Sequence, residues 1–213
     1  MFITFEGPDG AGKTTVLKHL VPLLQQQTSL PIRLSREPGG NKIAEEIRQI
    51  ILDINNQQMD DRTEALLYAA ARRQHLVENV FPQLRQGDIV ISDRFVDSSI
   101  VYQGAGRQIG EAAVAQINYF ATEGLTPDLT IYLDVPVMIG LQRIHQYRQT
   151  QNDRLDQEKI SFHERVRQAY LRLWRANPQR IVKVDATQPL ALVIDECQHI
   201  ITQRFSQVFD GVK

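Results

Sequence analysis

The chain has 213 residues, enough to bury a full core, and its 24 lysines and arginines nearly balance 25 aspartates and glutamates. A net charge of −1 excludes the global positive field that gathers nucleic acid or anionic lipid, so any cationic chemistry has to be local. One cysteine, Cys197, excludes an internal disulfide framework and a four-cysteine zinc site, and reads as a buried free thiol in a reducing compartment.

Phe2-Ile3-Thr4-Phe5 is short, apolar and rich in strand formers, and reads as the first strand. No basic, apolar leader precedes it and no 18-residue apolar run occurs anywhere, so the expectation is a cytoplasmic protein with neither membrane nor nucleic acid as partner. Next comes Gly7-Pro8-Asp9-Gly10-Ala11-Gly12-Lys13-Thr14, which fits G-x-x-x-x-G-K-[ST] and leads into a helix-like run from Val16. Strand, glycine-rich loop and helix in that order form a site for the phosphates of a nucleotide triphosphate. Glycines let backbone N–H groups converge on anionic oxygens, Lys13 adds a compact charge, and the Thr14 hydroxyl suits Mg²⁺. Gly7, Pro8, Asp9, Gly10, Ala11, Gly12, Lys13, Thr14 and Thr15 are therefore the candidate ATP-binding residues.

A second strand over 31–35 ends in the turn-prone Arg36-Glu37-Pro38-Gly39-Gly40. A helix follows, with Ile43, Ile47, Ile50 and Ile51 spaced for one face, and then a longer helix over 60–81 carrying Leu66, Leu67, Ala70, Leu76 and Val80. Ile89-Val90-Ile91-Ser92 is a third strand of the kind buried on both faces. A glycine-containing loop and a helix over 111–123 come after it. The fourth strand is 129–134, a helix covers 137–147, the fifth strand is 181–185, and a last helix runs over 190–204. Strands separated by helices imply a five-stranded parallel sheet covered on both sides, an α/β phosphate-loop fold in three layers. The polar stretch 142–158 breaks the pattern; too polar for core, it reads as either a solvated helical hairpin or a mobile lid that closes over phosphates, and its three arginines favour the lid. The whole is expected to be one domain.

A phosphate loop after the first strand puts a nucleotide at the carboxyl edge of the sheet, where the other strand ends should hold the remaining machinery. Asp93, after four apolar-strand residues, is placed to hold Mg²⁺ directly or through water, and Arg94 beside it suits a bidentate phosphate.

Five motifs then occur in one order: the phosphate loop, REPGG after the second strand, YAAARRQHL on the third helix, DRFVDSSIVYQGAGR after the third strand, and NDRLDQE in the polar stretch. Together with DATQP after the fifth strand they resemble the bacterial thymidylate kinases over essentially the whole chain. The resemblance implies that Asp9 contacts the acceptor nucleotide, that Arg94 binds its phosphate, and that Tyr68 stacks on thymine where most relatives carry Phe. It also implies that Arg72 hydrogen-bonds the thymine edge; residues 68 and 72 share a helix face by i, i+4 geometry. Ser99 and Gln103 would line the base and sugar, Tyr102 would lie under the deoxyribose, and Glu37, Pro38 and Arg48 would border the acceptor. Gly10 replaces the loop arginine of eukaryotic relatives, so catalytic cations would come from the lid, as Arg143, Arg148 and Arg154. Homodimerisation is a further implication.

The reaction implied is transfer of the γ-phosphoryl of ATP to dTMP, giving dTDP and ADP for dTTP synthesis. The acceptor phosphate is already anionic, with a second pKa near about 6, so no general base is needed. One rival is a deoxynucleoside kinase on the same scaffold, for which Glu37 would be the base after the second strand. A nucleotide-dependent switch or binding protein is the other, but neither the guanine-reading N-K-x-D nor a water-positioning glutamine after a D-x-x-G is present.

Overall fold

The computed structural model describes residues 1–147, 154–155 and 157–209. Five parallel strands, β1 (Phe2–Glu6), β2 (Ile32–Arg36), β3 (Ile89–Asp93), β4 (Leu129–Asp134) and β5 (Ile181–Asp185), lie in the order β2-β3-β1-β4-β5. The sheet is the one expected: β1, β3 and β4 are near-continuous apolar runs because both faces are covered, and the crossovers carry helices.

Alternation along the strands gives the two faces different chemistry. Ile3, Phe5, Ile89, Ile91, Leu129, Ile131 and Leu133 meet α1 (Lys13–Gln25) and α9 (Leu190–Arg204) in a hydrocarbon layer that includes Leu17, Leu20, Leu24, Val193 and Cys197. The residues between them, Thr4, Glu6, Ser92, Thr130 and Tyr132, are all buried on the opposite side. There the Thr4 and Thr130 hydroxyls hydrogen-bond at 2.8 Å, and the Tyr132 ring stacks on Tyr170 with centroids 5.0 Å apart.

Four expectations change. The stretch after Asp93 is helical, as α5 (Val96–Ser99) and a wide π-type turn, Ile100–Gly106. Its glycines serve close packing: a Cβ on Gly104 would lie 2.8 Å from the Glu111 Cα, and one on Gly106 2.6 Å from the Phe162 ring. Second, the polar region is followed by α8 (Ile160–Ala176), whose Phe162, Val166, Ala169 and Tyr170 are buried at helical spacing. Third, the apolar residues of α2 (Lys42–Leu52) and α3 (Asp61–His75) do not all turn inward. Ile43, Ile50, Leu66 and Ala70 are exposed, whereas α3 buries Glu64, Ala65, Tyr68, Ala69, Ala71, Arg72 and His75. Polar partners, not hydrocarbon, decide which side of α3 faces in. Fourth, the stretch 142–158 does reach the interior, because Arg154 and Leu155 are buried.

The helix α3 continues through a π-type turn, Leu76–Val80, into α4 (Phe81–Arg85). Beyond β3 lies α6 (Glu111–Thr122), beyond β4 lies α7 (Val137–Tyr147), and the short α10 (Ser206–Phe209) follows α9. No described helix is long and apolar enough to cross a membrane. Cys197 is buried, and burial pushes its thiol up to about 12, so it is an inert core residue.

Candidate active site

Between β1 and α1 the chain turns through Gly7, Gly10 and Gly12, all at positive φ (145°, 75° and 87°). A Cβ on Gly7 would strike the Leu133 carbonyl, and one on Gly10 the Gly140 carbonyl, so this loop can be traced only by glycine. Gly12 caps α1 without a side-chain acceptor, and the first turn contains no acid. The helix thus presents leading N–H groups and the positive end of its dipole without a resident counter-charge, the arrangement that receives phosphate. Lys13 donates from Nζ to the carbonyls of Gly7 (2.9 Å) and Pro8 (3.1 Å). Burial, aided by the nearby Arg94 charge, pushes its ammonium down to about 8, against the pull of Asp9, Asp93 and Glu6. A desolvated ammonium held only by carbonyls gains most from an anion.

The Thr14 hydroxyl donates to Asp93 Oδ2 at 2.6 Å, which joins the two candidate metal-holding residues. Among the described residues no group of three or more His, Cys, Asp or Glu side chains could hold a metal. Two hard oxygens with no full protein cage fit Mg²⁺, which keeps waters and takes the rest of its ligands from substrate phosphates.

Arg94 follows Asp93 with φ at 74°, a left-handed conformation that costs a non-glycine residue about 1–3 kcal/mol. Its backbone N–H donates to the Phe5 carbonyl (2.9 Å), and its guanidinium turns back over the phosphate loop. Nη1 donates to Gly7 O (3.0 Å) and Ser98 Oγ (2.9 Å), and Nη2 to Asp9 Oδ1 (2.6 Å) and the Tyr102 hydroxyl (3.2 Å). Tyr102 in turn donates to Asp9 Oδ2 at 2.6 Å, and its ring lies 5.0 Å from the Arg94 guanidinium carbon. Burial alone would lower the Arg94 pKa, but Tyr102 and Asp9 outweigh it and raise it well above its ordinary value. Asp9, Arg94 and Tyr102 form one hydrogen-bonded set at the carboxyl edge of the sheet.

Farther along, Arg72 is buried and nearly saturated. It donates from Nε to Glu37 Oε2 (2.6 Å), from Nη1 to Ser99 Oγ (3.0 Å) and to Asn118 Oδ1, and from Nη2 to the Phe95 carbonyl (3.1 Å). Four of the five N–H bonds of the fork are thereby used, leaving one on Nη2. Glu37, buried in its pair with Arg72 and 3.4 Å from His75 Nδ1, is committed and is no free general base. Arg48 donates from Nη1 to the Pro38 carbonyl at 2.9 Å. Gln103 donates to the buried Glu64 at 2.8 Å.

These groups line one cavity of about 870 Å³, within the usual size of small-molecule sites. Gly10 to Thr15 and Arg143 stand at one end; Pro38, Tyr68, Arg72, Ser99, Tyr102 and Gln103 stand at the other, with Asp9, Asp93 and Arg94 also on its wall. Arg143 donates from Nη1 to the carbonyls of Ala186 (3.0 Å) and Gly10 (3.4 Å), beside the phosphate loop. Arg154 is absent from the cavity wall: its Nη2 donates to Glu64 and its Nε to the Ile51 carbonyl at 3.1 Å. Arg148 lies outside the described residues.

Sequence reasoning missed the layer behind these residues. Glu6, Ser98 and Tyr170 support Arg94; Asn118 and His75 support the Arg72–Glu37 pair; Glu64 gathers Gln103, Arg107 and Arg154. A signal existed for one of them, since Thr4 and Glu6 share a strand face with period two. Leu52, Leu155, Gln188, Leu190 and Val193 also line the cavity without having been anticipated.

A family model described as thymidylate kinase matches residues 5–197. The chain is 63% identical over 208 residues to the thymidylate kinase of Latilactobacillus sakei, covering 98% of this chain and 97% of the relative. It is 57% identical over 209 residues to that of Enterococcus faecalis, covering 98% and 99%. Among solved structures, the thymidylate kinase of Ehrlichia chaffeensis superposes with a TM-score of 0.76 at 32% identity, covering 95% of this chain and 98% of that one.

Proposed function

The chain belongs to the thymidylate kinase family and is a phosphotransferase; from that premise we propose that it moves the γ-phosphoryl of ATP onto the 5′-phosphate of dTMP, with Mg²⁺. The single observation that carries the reading of the site is the continuous cavity with a phosphate-loop lysine at one end and the Tyr68–Arg72–Gln103 wall at the other. Such a cavity accommodates two nucleotides end to end.

The donor phosphates would lie on the N–H groups of Gly10 to Thr15 and on Lys13. The acceptor phosphate would lie against Arg94, its sugar beside Asp9 and Tyr102, and its base over the Tyr68 ring with the remaining Arg72 N–H, Ser99 and Gln103 at its edge. Glu37, Pro38 and Arg48 would close that side. Thr14 and Asp93 would hold Mg²⁺, which when bound supplies neutralisation of phosphate charge. Two unit charges about 4 Å apart repel by roughly 4 kcal/mol at an effective dielectric near 20, and each phosphate carries more than one. Lys13, Arg94 and Arg143 therefore do most of their work by making the two anions' approach tolerable and in line. No general base is called for, and the commitment of Glu37 to Arg72 supports an acceptor that is already ionised.

The same reading makes the chain one catalytic domain, with the stretch at about 142–158 as its lid and Arg148 as a further cation brought in on closure; Arg154, expected in that role, is instead buried against Glu64. Tyr119 and Phe120 on α6, 72% and 88% exposed, support a homodimer built across that helix; the mass under native conditions tests it. The activity itself is tested by coupled ADP release with ATP against dTMP, dUMP, dCMP, AMP and thymidine. Turnover with dTMP far above the rest is the expected result, and preference for thymidine would overturn it.

A further inference from the structure

Arg94 is held in a conformation its own backbone disfavours, and the group that holds it lies behind the cavity. Glu6, the last residue of β1, is buried on the polar side of the sheet and belongs to none of the motifs above. Its Oε1 accepts the Phe95 backbone N–H at 2.7 Å, gripping the peptide that leaves Arg94. Its Oε2 accepts the Ser98 hydroxyl at 2.5 Å and the Tyr170 hydroxyl at 2.9 Å. Those two hydroxyl oxygens are also the ones that face Arg94 Nη1, at 2.9 Å and 3.4 Å.

Proton accounting gives this arrangement a direction. A carboxylate only accepts, so it turns both hydroxyl hydrogens toward itself and leaves both oxygens as acceptors for the guanidinium. A neutral amide in its place would donate to one of them, and a hydroxyl hydrogen would then be free to swing against the Arg94 N–H. The groups around Glu6 are Asp97 on α5, paired to Arg180 at 2.7 Å and 3.0 Å, Arg94 itself, Lys13 on α1, Tyr170 on α8 and Tyr132, its register partner on β4.

We propose that Glu6 is a positioning residue for phosphoryl transfer: through Phe95 N–H, Ser98 and Tyr170 it fixes both the backbone and the guanidinium of Arg94 toward the acceptor phosphate. This rests on the reading that Arg94 binds that phosphate. Glu6 touches no substrate, so its effect reaches the reaction through Arg94 alone.

The test is steady-state kinetics of the full chain with ATP and dTMP in variants of both residues. Glu6→Gln is expected to raise KM for dTMP about 10- to 100-fold, the size of one or two hydrogen bonds to a charged group, with KM for ATP changed by less than about 3-fold. Tyr170→Phe, which keeps the ring stacked on Tyr132, is expected to raise the same constant by about 3- to 10-fold. In an Arg94→Ala background Glu6→Gln should add no further loss. An unchanged KM for dTMP in Glu6→Gln overturns the inference, and so does an equal loss in the Arg94→Ala background. Should Glu6→Gln fail to fold, Tyr170→Phe decides alone, an unchanged constant overturning it. Failure of the underlying reading looks different, because Arg94→Ala would then itself leave KM for dTMP untouched.

Discussion

The two faces of the sheet obey different rules. Toward α1 and α9 the contacts are hydrocarbon on hydrocarbon, and any side chain of suitable shape contributes through the area it removes from water. Toward α5 and α8 the buried surface holds Thr4, Glu6, Ser92, Thr130 and the Tyr132–Tyr170 stack, and the polar atoms there depend on particular partners. The first face holds the strands in place; the second uses that rigidity to aim Arg94 and, through the Glu37 pair, Arg72. Stability and function are thus separated across a single sheet. Substitutions on the α1/α9 side should cost folding free energy with intact kinetics, and those on the other side should show first in the acceptor constants.

The strongest way to break this division is at the phosphate loop, which belongs to neither layer. Lys13→Ala should lower kcat about 1000-fold or more, since it removes a charge aimed at the transferring group, while the thermal midpoint stays near wild type. Stopped turnover measurements check it, and equal turnover with only weaker nucleotide binding would count against the role. Arg72→Ala crosses the division. It leaves the buried Glu37 without its guanidinium, costing about 3–5 kcal/mol in urea unfolding, and should also raise the dTMP requirement and blur preference over dUMP and dCMP. An unchanged acceptor profile would remove Arg72 from the base site.

Leu20→Ala on α1 sharpens the contrast from the other side: a loss of about 2–5 kcal/mol in unfolding, with kcat and both Michaelis constants within about 2-fold of wild type. The smallest effect expected concerns Glu6 and pH. Burial, with Asp97 nearby, raises its pKa from 4.5 to about 7, so between those values the native chain retains a proton that the unfolded chain has released. Stability therefore declines as pH rises through that window and levels off above it. Between pH about 5 and about 7.5 the thermal midpoint of wild type should fall by more than that of Glu6→Gln; parallel curves for the two would refute it.

Much of the site was legible. The phosphate loop and Asp93-Arg94 are local patterns, short runs whose spacing places their side chains on one loop or at one strand end; Tyr68 and Arg72 were singled out by the resemblance, spacing adding only that they share a helix face. The strands and most helices were legible because period and length separate them. The α8 helix carried its own signal in Phe162, Val166, Ala169 and Tyr170, lost beside the polar stretch before it. What was misread about burial has one cause. Hydrophobicity was taken to mark the buried side, yet Leu66 and Ile43 face outward while Glu64, Arg72 and Arg154 are buried on one another's charges or on the charge of Glu37.

By itself, then, the order of residues determined the phosphate loop, the succession of strands and of most helices, and the identity of the groups at the strand ends, because these depend on neighbours within a few positions. Only the tertiary structure decided that Glu6 would meet Ser98 and Tyr170, that Arg72 would spend four of its N–H bonds on protein, and that Arg154 would pair with Glu64. Those contacts join residues far apart in the chain. A buried polar group must find a partner wherever packing brings one, and no local spacing records which one that will be.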